Sequence, residues 1–383
     1  MYIKDTSKEA LKTRFAYLDN LRSLVIFFVI TTHTAVIYSS YGFWPYIEGS
    51  PEKLSDNEAA FFGLYGMFTQ AWFMGILFFI SAYFSTKSLA KRGAVKYMKE
   101  RLFRLGVPLL IYIFIFTPFI EFVLLGKHNE ITLCQYYLDF IVSSRWLSSA
   151  GPLWFATVLL IFCTLYVLYR KIVHRHRVIL AVNLRHIVSV IVGIGIFAFL
   201  IRLVFPINTR FFHLNICYFA SYIVMFMAGI SVGENNLMEQ ISQGKNTVGL
   251  KLALVIGIPL WGIIMIVGGP LYGNMYIYGG FRWQSLVFAF WESFVAISFS
   301  IGIIAFFKKY LDTANRYSEL LAQNSFGMYV FHSPLLTAIA LSLKQWETAM
   351  FTKFAIVLPI AYVASFLFTF LIRKIKPVGI IFK

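Results

Sequence analysis

The sequence predicts an all-α membrane protein, a polytopic bundle of about ten transmembrane helices with both termini in the cytoplasm. Hydrophobic residues make up 59% of the 383-residue chain and charged residues only 13%, whereas soluble domains are about a quarter charged. Long apolar stretches also recur from Leu21 to Ile372, as a helix in hydrocarbon requires. Only short linkers separate these stretches, so residues 1–383 are expected to form a single integral-membrane domain.

The apolar stretches give the positions of the individual spans to within a few residues. The predicted spans are 20–41, 60–84, 106–125, 153–170, 186–205, 211–233, 248–268, 283–307, 321–343 and 349–372. The first follows a short basic segment that resembles the start of a signal peptide. It is long and has no small-residue cleavage site, so it is expected to be retained as a span.

Basic residues give the orientation of these spans. Most of the 34 Lys and Arg residues lie before the first span, in every second linker after it, and after the last span. Loops rich in Lys and Arg stay in the cytoplasm, so both termini are predicted to be cytoplasmic. The net charge of +17 therefore reflects membrane topology. It does not indicate nucleic-acid binding, which needs a single basic, water-facing patch.

Two further segments are predicted to be helical without crossing the membrane. Residues 89–105 place apolar side chains at helical spacing among basic ones, which is typical of an amphipathic helix at the cytoplasmic surface. Residues 131–142 are apolar but too short to span, so we expect a tucked helix in an outer loop. The three cysteines, Cys134, Cys163 and Cys217, lack metal-ligand spacing and are expected to be small core residues.

The first span carries polar residues that hydrocarbon does not favour. It begins with the motif YLDNLR, residues 17–22, and later contains His33. Arg22 and His33 are eleven residues apart, so they share one helix face about 16 Å apart along the axis. Asp19 lies on the same stripe but about 21 Å from His33, too far to orient the imidazole. Arg22 as a topogenic anchor and His33 as an interhelical hydrogen-bonding residue are the alternatives to a functional site.

Two later spans contain further ionisable residues at similar depth. Ser325 and His332 are seven residues apart and face the same way in the ninth span. Glu292 lies near mid-depth in the eighth span, where a carboxylate must be neutral or paired. A packed His332 beside the Pro334 kink is as plausible as a functional one. Arg202 and Glu121 lie nearer the outer ends of their spans, and both are expected to snorkel to the surface.

Two groups of side chains at the membrane surfaces have both a structural and a functional interpretation. Arg101 and Arg104 form a pair that suits phosphate recognition, although basic residues in cytoplasmic loops are normally topogenic. Aromatic residues collect near the outer loops, where an interfacial belt is a safer interpretation than stacking against a sugar ring. These aromatic residues are Trp44, Trp146, Trp154, Tyr272, Tyr276, Tyr278 and Trp283.

Taken in order, these motifs resemble the membrane acyltransferase type 3 family over nearly the whole chain. The entry motif of residues 17–22 and the Arg22–His33 spacing resemble its first span, and Arg101 with Arg104 resembles its Arg-x-x-Arg element. Further likenesses are residues 78–84 (FFISAYF), residues 151–155 (GPLWF) and the Ser325, Tyr329 and His332 element. The variants LDNLR and GPLWF look closest to the branch that succinylates periplasmic glucans. Residues 81–83 depart from the commoner Ser-Gly pair, and no fused extracytoplasmic hydrolase-like domain is expected.

The resemblance implies O-acyl transfer from cytoplasmic acyl-CoA to a hydroxyl of an extracytoplasmic glycan or other envelope acceptor, in a bacterial cytoplasmic membrane. Arg101 and Arg104, with Arg22, would hold the phosphates of acyl-CoA, and no metal is expected. His33 would act as the general base or would carry the acyl group itself, with His332 or Glu292 as orienting groups. The rival hypothesis is a proton-coupled transporter that uses His33, Glu292 and His332 at mid-membrane.

Overall fold

The computed structural model describes residues 15–39, 41–173 and 183–382. Ten helices in these ranges are long and apolar enough to cross a membrane, and the predicted bundle is confirmed. We number them α1 to α10. They are Ala16–Ser39, Asp56–Arg92, Ala94–Leu124, Gly151–Ile172, Leu184–Val204, Ile216–Glu234, Gly244–Val267, Trp283–Tyr310, Arg316–Ser342 and Met350–Ile372. Residues 1–14 and 174–182, which hold several of the basic residues counted for orientation, lie outside the described ranges.

The helices differ in how deeply they are buried in the bundle. In the apolar stretch of each helix, 72% of the residues of α2 and 78% of those of α8 are buried. The corresponding share is 22% in each of α5, α7 and α10. A helix that is apolar all round but exposed in the protein must face lipid, so α5, α7 and α10 form the periphery. Helices α1, α2, α8 and α9 are the most buried and form the interior of the bundle.

Successive spans run in opposite directions, so the first residue of α1 and the last residue of α10 lie at the same end of the bundle. We call this end the basic face, because Lys and Arg residues lie there around the α2–α3 and α8–α9 junctions and after α10. The opposite end is called the outer face. The charge distribution predicts that the basic face is cytoplasmic.

The third span differs from its prediction. Residues 89–92 are the last turn of α2, and Gly93, at φ +75°, separates α2 from α3 without any further linker. Helix α3 then runs from Ala94 directly into the apolar span, so the predicted interfacial helix is continuous with α3. Three stretches of α3, Leu102–Gly106, Tyr112–Phe116 and Phe119–Leu124, form wider π-helical turns with i→i+5 hydrogen bonds.

The predicted tucked helix is present as Leu133–Val142 and begins with a capping box between Thr132 and Gln135. Its buried residues Tyr136 and Phe140 pack with Ile113 in a small core separate from that of the bundle. This packing explains why a helix too short to span is still ordered.

Charged groups collect near the tucked helix. Glu121 keeps a partly exposed side chain there and forms ion pairs with Lys127 and Arg145. The cysteine prediction is confirmed for Cys163 and Cys217, which are buried, and is wrong for Cys134, which is exposed on the tucked helix.

Candidate active site

His33 of α1 and His332 of α9 meet inside the bundle. His33 Nδ1 lies 2.9 Å from His332 Nε2. The two rings are nearly coplanar, with an interplanar angle of 19° and centroids 5.0 Å apart, so the hydrogen bond runs in line between them. Helix depth alone suggested that these residues lie at one level. The structure shows that they are direct partners, although 299 positions separate them in the chain.

The surroundings of His332 fix where the protons lie. His332 Nδ1 is 2.7 Å from the carbonyl oxygen of Tyr329, which can only accept a hydrogen bond, so Nδ1 carries a proton. No acidic side chain among the described residues bonds to either ring, and an uncompensated buried imidazolium is costly. A neutral His332 therefore accepts at Nε2 from His33 Nδ1–H. His33 Nε2 then holds a lone pair, and it has no protein partner within the described residues.

The two imidazoles differ in access. His332 is fully buried, whereas His33 keeps part of its surface accessible. Trp44 covers one face of the His33 ring, with centroids 4.3 Å apart and an interplanar angle of 28°. Trp44 Nε1 also donates a hydrogen bond of 3.2 Å to Thr337 Oγ1 on α9. Trp44 is therefore part of the site, and the belt interpretation is wrong for this residue.

Hydrogen bonds to the GPLWF motif and to α3 hold helix α9 in place. The hydroxyl of Tyr329 donates to the carbonyl oxygen of Pro152, in the GPLWF motif. Ser333, next to His332, shares a 2.8 Å hydrogen bond with the hydroxyl of Tyr112 on α3. A side chain at Gly151, at φ +49°, would meet that tyrosine hydroxyl at 2.4 Å, which explains the glycine. These contacts fix the register of α9 and hence the position of His332.

Ser325 takes no direct part in this arrangement. Its hydroxyl bonds to the carbonyl oxygen of Ala322, 2.9 Å away in its own helix. The shared face that the seven-residue spacing predicts does not bring Ser325 into contact with either histidine.

Arg22 lies at the basic face, eleven residues before His33 on α1. Its guanidinium group forms a 2.5 Å ion pair with Asp19 and stays partly exposed. The rest of the entry motif has a structural task, because Asn20 donates to the carbonyl oxygens of Leu311 and Thr313 at 2.8 and 3.2 Å. Residues 17–22 therefore tie the start of α1 to the linker between α8 and α9.

Glu292 is not joined to the histidine pair. Its carboxylate forms an ion pair with Arg202, whose side chain is 0% exposed, so the expectation that Arg202 snorkels is wrong. Arg202 lies between the rings of Tyr218 and Phe288, at 5.7 and 5.5 Å. Within the described residues, no hydrogen bond or ion pair links Glu292 to a histidine. Of the two orienting groups considered for His33, His332 is the one in contact with it.

A cleft of about 460 Å³ opens between the first turns of α3 and the C-terminal segment of the chain. Its lining is strongly basic and carries a few apolar groups. The lining residues are Arg92, Lys96, Lys99, Glu100, Phe103, Arg104 and Ile380. We call it the basic cleft. Its surplus of cationic side chains suits an anionic group such as phosphate.

Arg101, unlike Arg104, does not line the basic cleft. It donates to Ser85 Oγ at 3.2 Å and lies 5.3 Å from the centre of the Tyr97 ring. The helix changes from α to π at Leu102, and a π turn rotates less per residue than an α turn. The two guanidinium groups therefore point further apart than their spacing predicts in an α-helix.

These features define a class of protein: a polytopic membrane bundle whose interior holds a hydrogen-bonded histidine pair, with one of the two histidines partly accessible. Residues 15–374 match the family model described as an acyltransferase domain, acyltransferase type 3, and the chain belongs to this family. The protein is therefore a membrane acyltransferase. Among curated proteins and among solved structures, none matches the chain.

Proposed function

We propose that this enzyme transfers an acyl group, acetyl or succinyl, from cytoplasmic acyl-CoA to a hydroxyl of an extracytoplasmic glycan, with His33 Nε2 as the base. Family membership supplies acyl transfer as the reaction. The observation that carries the rest is the hydrogen-bonded order Tyr329 carbonyl, His332, His33, which leaves one unprotonated nitrogen on the accessible ring. Only imidazole exchanges protons near neutral pH without a large perturbation.

In the general-base form of the reaction, His33 Nε2 removes the proton of the acceptor hydroxyl as its oxygen attacks the thioester carbonyl. The C–S bond breaks, and the departing thiolate takes that proton back from the imidazolium. The products are an ester and free coenzyme A. His332 accepts the Nδ1–H bond throughout, so it keeps the ring oriented and stabilises the positive charge that develops on His33.

His33 can also act as a nucleophile, with the same partners. Nε2 then forms an acyl-imidazole, coenzyme A leaves, and the acceptor hydroxyl takes the acyl group in a second step. The net reaction is identical, because the acceptor proton again ends on the coenzyme A thiol.

The donor would be held at the basic face. We propose that the cationic side chains of the basic cleft bind the phosphates of acyl-CoA. Of the predicted pair Arg101 and Arg104, only Arg104 lines this cleft. The axial separation of about 16 Å between the levels of Arg22 and His33 is of the order that a long thioester arm can cross. A bacterial cytoplasmic membrane and the glucan-succinylating branch are parts of this proposal.

The test uses membranes that carry the protein, radiolabelled acetyl-CoA or succinyl-CoA, and extracted envelope glycan. Transfer of label should fall by about 10²–10⁴-fold in His33→Ala, the usual contribution of a general base. His128→Ala is the matched control, because His128 lies in an exposed outer loop. Undiminished transfer in His33→Ala would remove His33 from the chemistry, and the better of the two donors identifies the acyl group.

A single-turnover experiment separates the two roles of His33. Labelled donor is mixed with protein in the absence of acceptor, and the reaction is quenched after a few seconds. Label bound covalently to the peptide that contains His33 identifies an acyl carrier. Label found only on coenzyme A, with normal transfer once acceptor is added, identifies a general base.

A further inference from the structure

Trp44 belongs to the outer segment, residues 41–55, which links α1 to α2 at the outer face. The indole contacts both helices of the site, because it stacks on His33 of α1 and donates to Thr337 of α9. An aromatic ring on a loop holds such a position only if the loop itself is fixed. The anchors of the outer segment therefore decide where this ring lies.

The strongest anchor is an ion pair between Glu48 of the outer segment and Lys353 of α10. Both side chains are nearly inaccessible, at 8% and 2% exposure. Lys353 also donates to the carbonyl oxygens of Leu343 and Lys344, at 3.0 and 3.5 Å, so its ammonium group is fully used by fixed partners. A buried, multiply bonded ion pair is rigid, unlike an exposed one.

Two further contacts extend this anchor. The Tyr46 hydroxyl donates a hydrogen bond of 3.0 Å to the Glu48 carboxylate. Burial raises the pKa of Tyr46 most, and the negative charge of Glu48 raises it further, so the hydroxyl keeps its proton and remains a donor. The backbone N–H groups of Glu48 and Gly49 donate to the carbonyl oxygen of Ile37, at 2.9 and 3.0 Å. A side chain at Gly49 would meet the Tyr38 carbonyl oxygen at 2.1 Å, so the backbone lies directly on the last turns of α1.

We propose that the outer segment is a working part of the active site, in which the Glu48–Lys353 pair holds Trp44 against the face of His33. This proposal rests on the proposed role of His33. Trp44 keeps the imidazole in the plane that its hydrogen bond to His332 requires, and it excludes water from the covered face. Glu48 and Lys353 are positioning residues, because they act on His33 only through the indole.

Water exclusion has a chemical consequence that can be measured. Water can replace the acceptor hydroxyl, in which case the thioester gives a free carboxylic acid and coenzyme A. With Trp44 in place, the acceptor hydroxyl is the favoured nucleophile near Nε2. Displacing the indole should therefore lower transfer and raise the share of donor that is hydrolysed.

The first experiment compares Glu48→Gln, Lys353→Met and the double variant, with Glu121→Gln as the matched control from a second outer ion-pair network. Each single variant should lose transfer by about 10²-fold, the scale of a small misplacement in an active site, and should hydrolyse more donor per transfer. The double variant should be no worse than the singles, because both residues act through one contact. It also leaves no unpaired buried charge, so it tests the proposal even if a single variant folds poorly.

The second experiment does not depend on acyl transfer. Diethylpyrocarbonate acylates unprotonated imidazole nitrogen, and the rate at His33 can be followed by mass spectrometry of its peptide. Trp44→Ala and the double variant should increase this rate several-fold, whereas Trp44→Phe, which keeps an aromatic face, should stay near wild type. An unchanged rate and an unchanged hydrolysis share in the double variant would overturn the proposal. Changed His33 reactivity in a protein that transfers no acyl group would instead overturn the proposed function and leave the positioning intact.

Discussion

Two of the buried polar pairs that the structure describes within the spans, Arg202–Glu292 and His33–His332, are built differently. Arg202 and Glu292 neutralise each other, and both are closed off from the surface. His33 and His332 are both uncharged, and one nitrogen of His33, a residue that is partly accessible, has no protein partner among the described residues. The first pair contains opposite charges that offset each other, and the second contains an imidazole nitrogen with no protein partner among the described residues.

This difference separates two reasons for placing ionisable groups in hydrocarbon. A closed ion pair at a contact between α5 and α8 fixes how these helices pack, and its removal should affect folding. Under the proposed function an imidazole pair with a free nitrogen serves the reaction, so its alteration should affect rate more than stability. Depth and ionisability, the two properties that the sequence reveals, do not distinguish Glu292 from the histidines.

The largest effect should be the loss of stability when the buried Arg202–Glu292 ion pair is broken. Glu292→Ala leaves Arg202 buried without a counter-ion, and we expect a loss of about 3–5 kcal/mol in stability. Thermal unfolding of the purified protein in detergent measures this loss. The double variant Arg202→Met with Glu292→Leu should recover most of it, because no buried charge then remains. If Glu292→Ala were as stable as wild type but inactive, Glu292 would belong with the histidines.

The second effect tests the order of hydrogen bonds in the imidazole pair. His332→Ala removes the acceptor for His33 Nδ1–H, and we expect a fall of about 10²-fold in kcat with little change in stability. His332→Gln offers a carbonyl oxygen in place of Nε2 and should retain more activity than the alanine variant. Steady-state transfer kinetics of both variants check this. Equal loss in both would show that His332 does more than accept this hydrogen bond.

The smallest effect should be the change in KM on removing one cation from the basic cleft, because several cationic side chains line it. Arg104→Ala should raise the KM for acyl-CoA about two- to fivefold with kcat unchanged, because one exposed charge contributes little. The effect should shrink as salt is raised. Arg101→Ala is the comparison, since Arg101 faces Ser85 and Tyr97 instead of the cleft. A larger rise in KM for Arg101→Ala than for Arg104→Ala would contradict the assignment of the cleft.

Much of the fold was predictable because bilayer thickness fixes span length. All ten spans follow from apolar runs, and the tucked helix follows from a run that is too short. The course of residues 89–105 was not predictable in the same way. Amphipathic spacing predicts a helix but not whether it bends away from the next span, and the single break at Gly93 decided this.

The site was predictable in its parts but not in its contacts. Spacing on one helix places Arg22 and His33 on one face, but the contact between His33 and His332 depends on how α1 packs against α9. Trp44 had the sequence signal of a belt residue, since it lies close to the outer end of a span. Only the fold of the outer segment, fixed far away in sequence by Lys353, turns its ring inward.

The uneven burial of the helices has a consequence for mutational tolerance. Hydrocarbon chains interact with leucine, isoleucine, valine and phenylalanine about equally well, so exchanges among them on α5, α7 and α10, each 22% buried, should be nearly neutral. In α2 and α8, where 72% and 78% of the residues of the apolar stretch are buried, the same exchanges alter the shape of a tightly packed interior. Relatives of this enzyme should therefore diverge mostly at the lipid-facing rim, and libraries that aim to change its acceptor should spare that rim and sample the inner four helices.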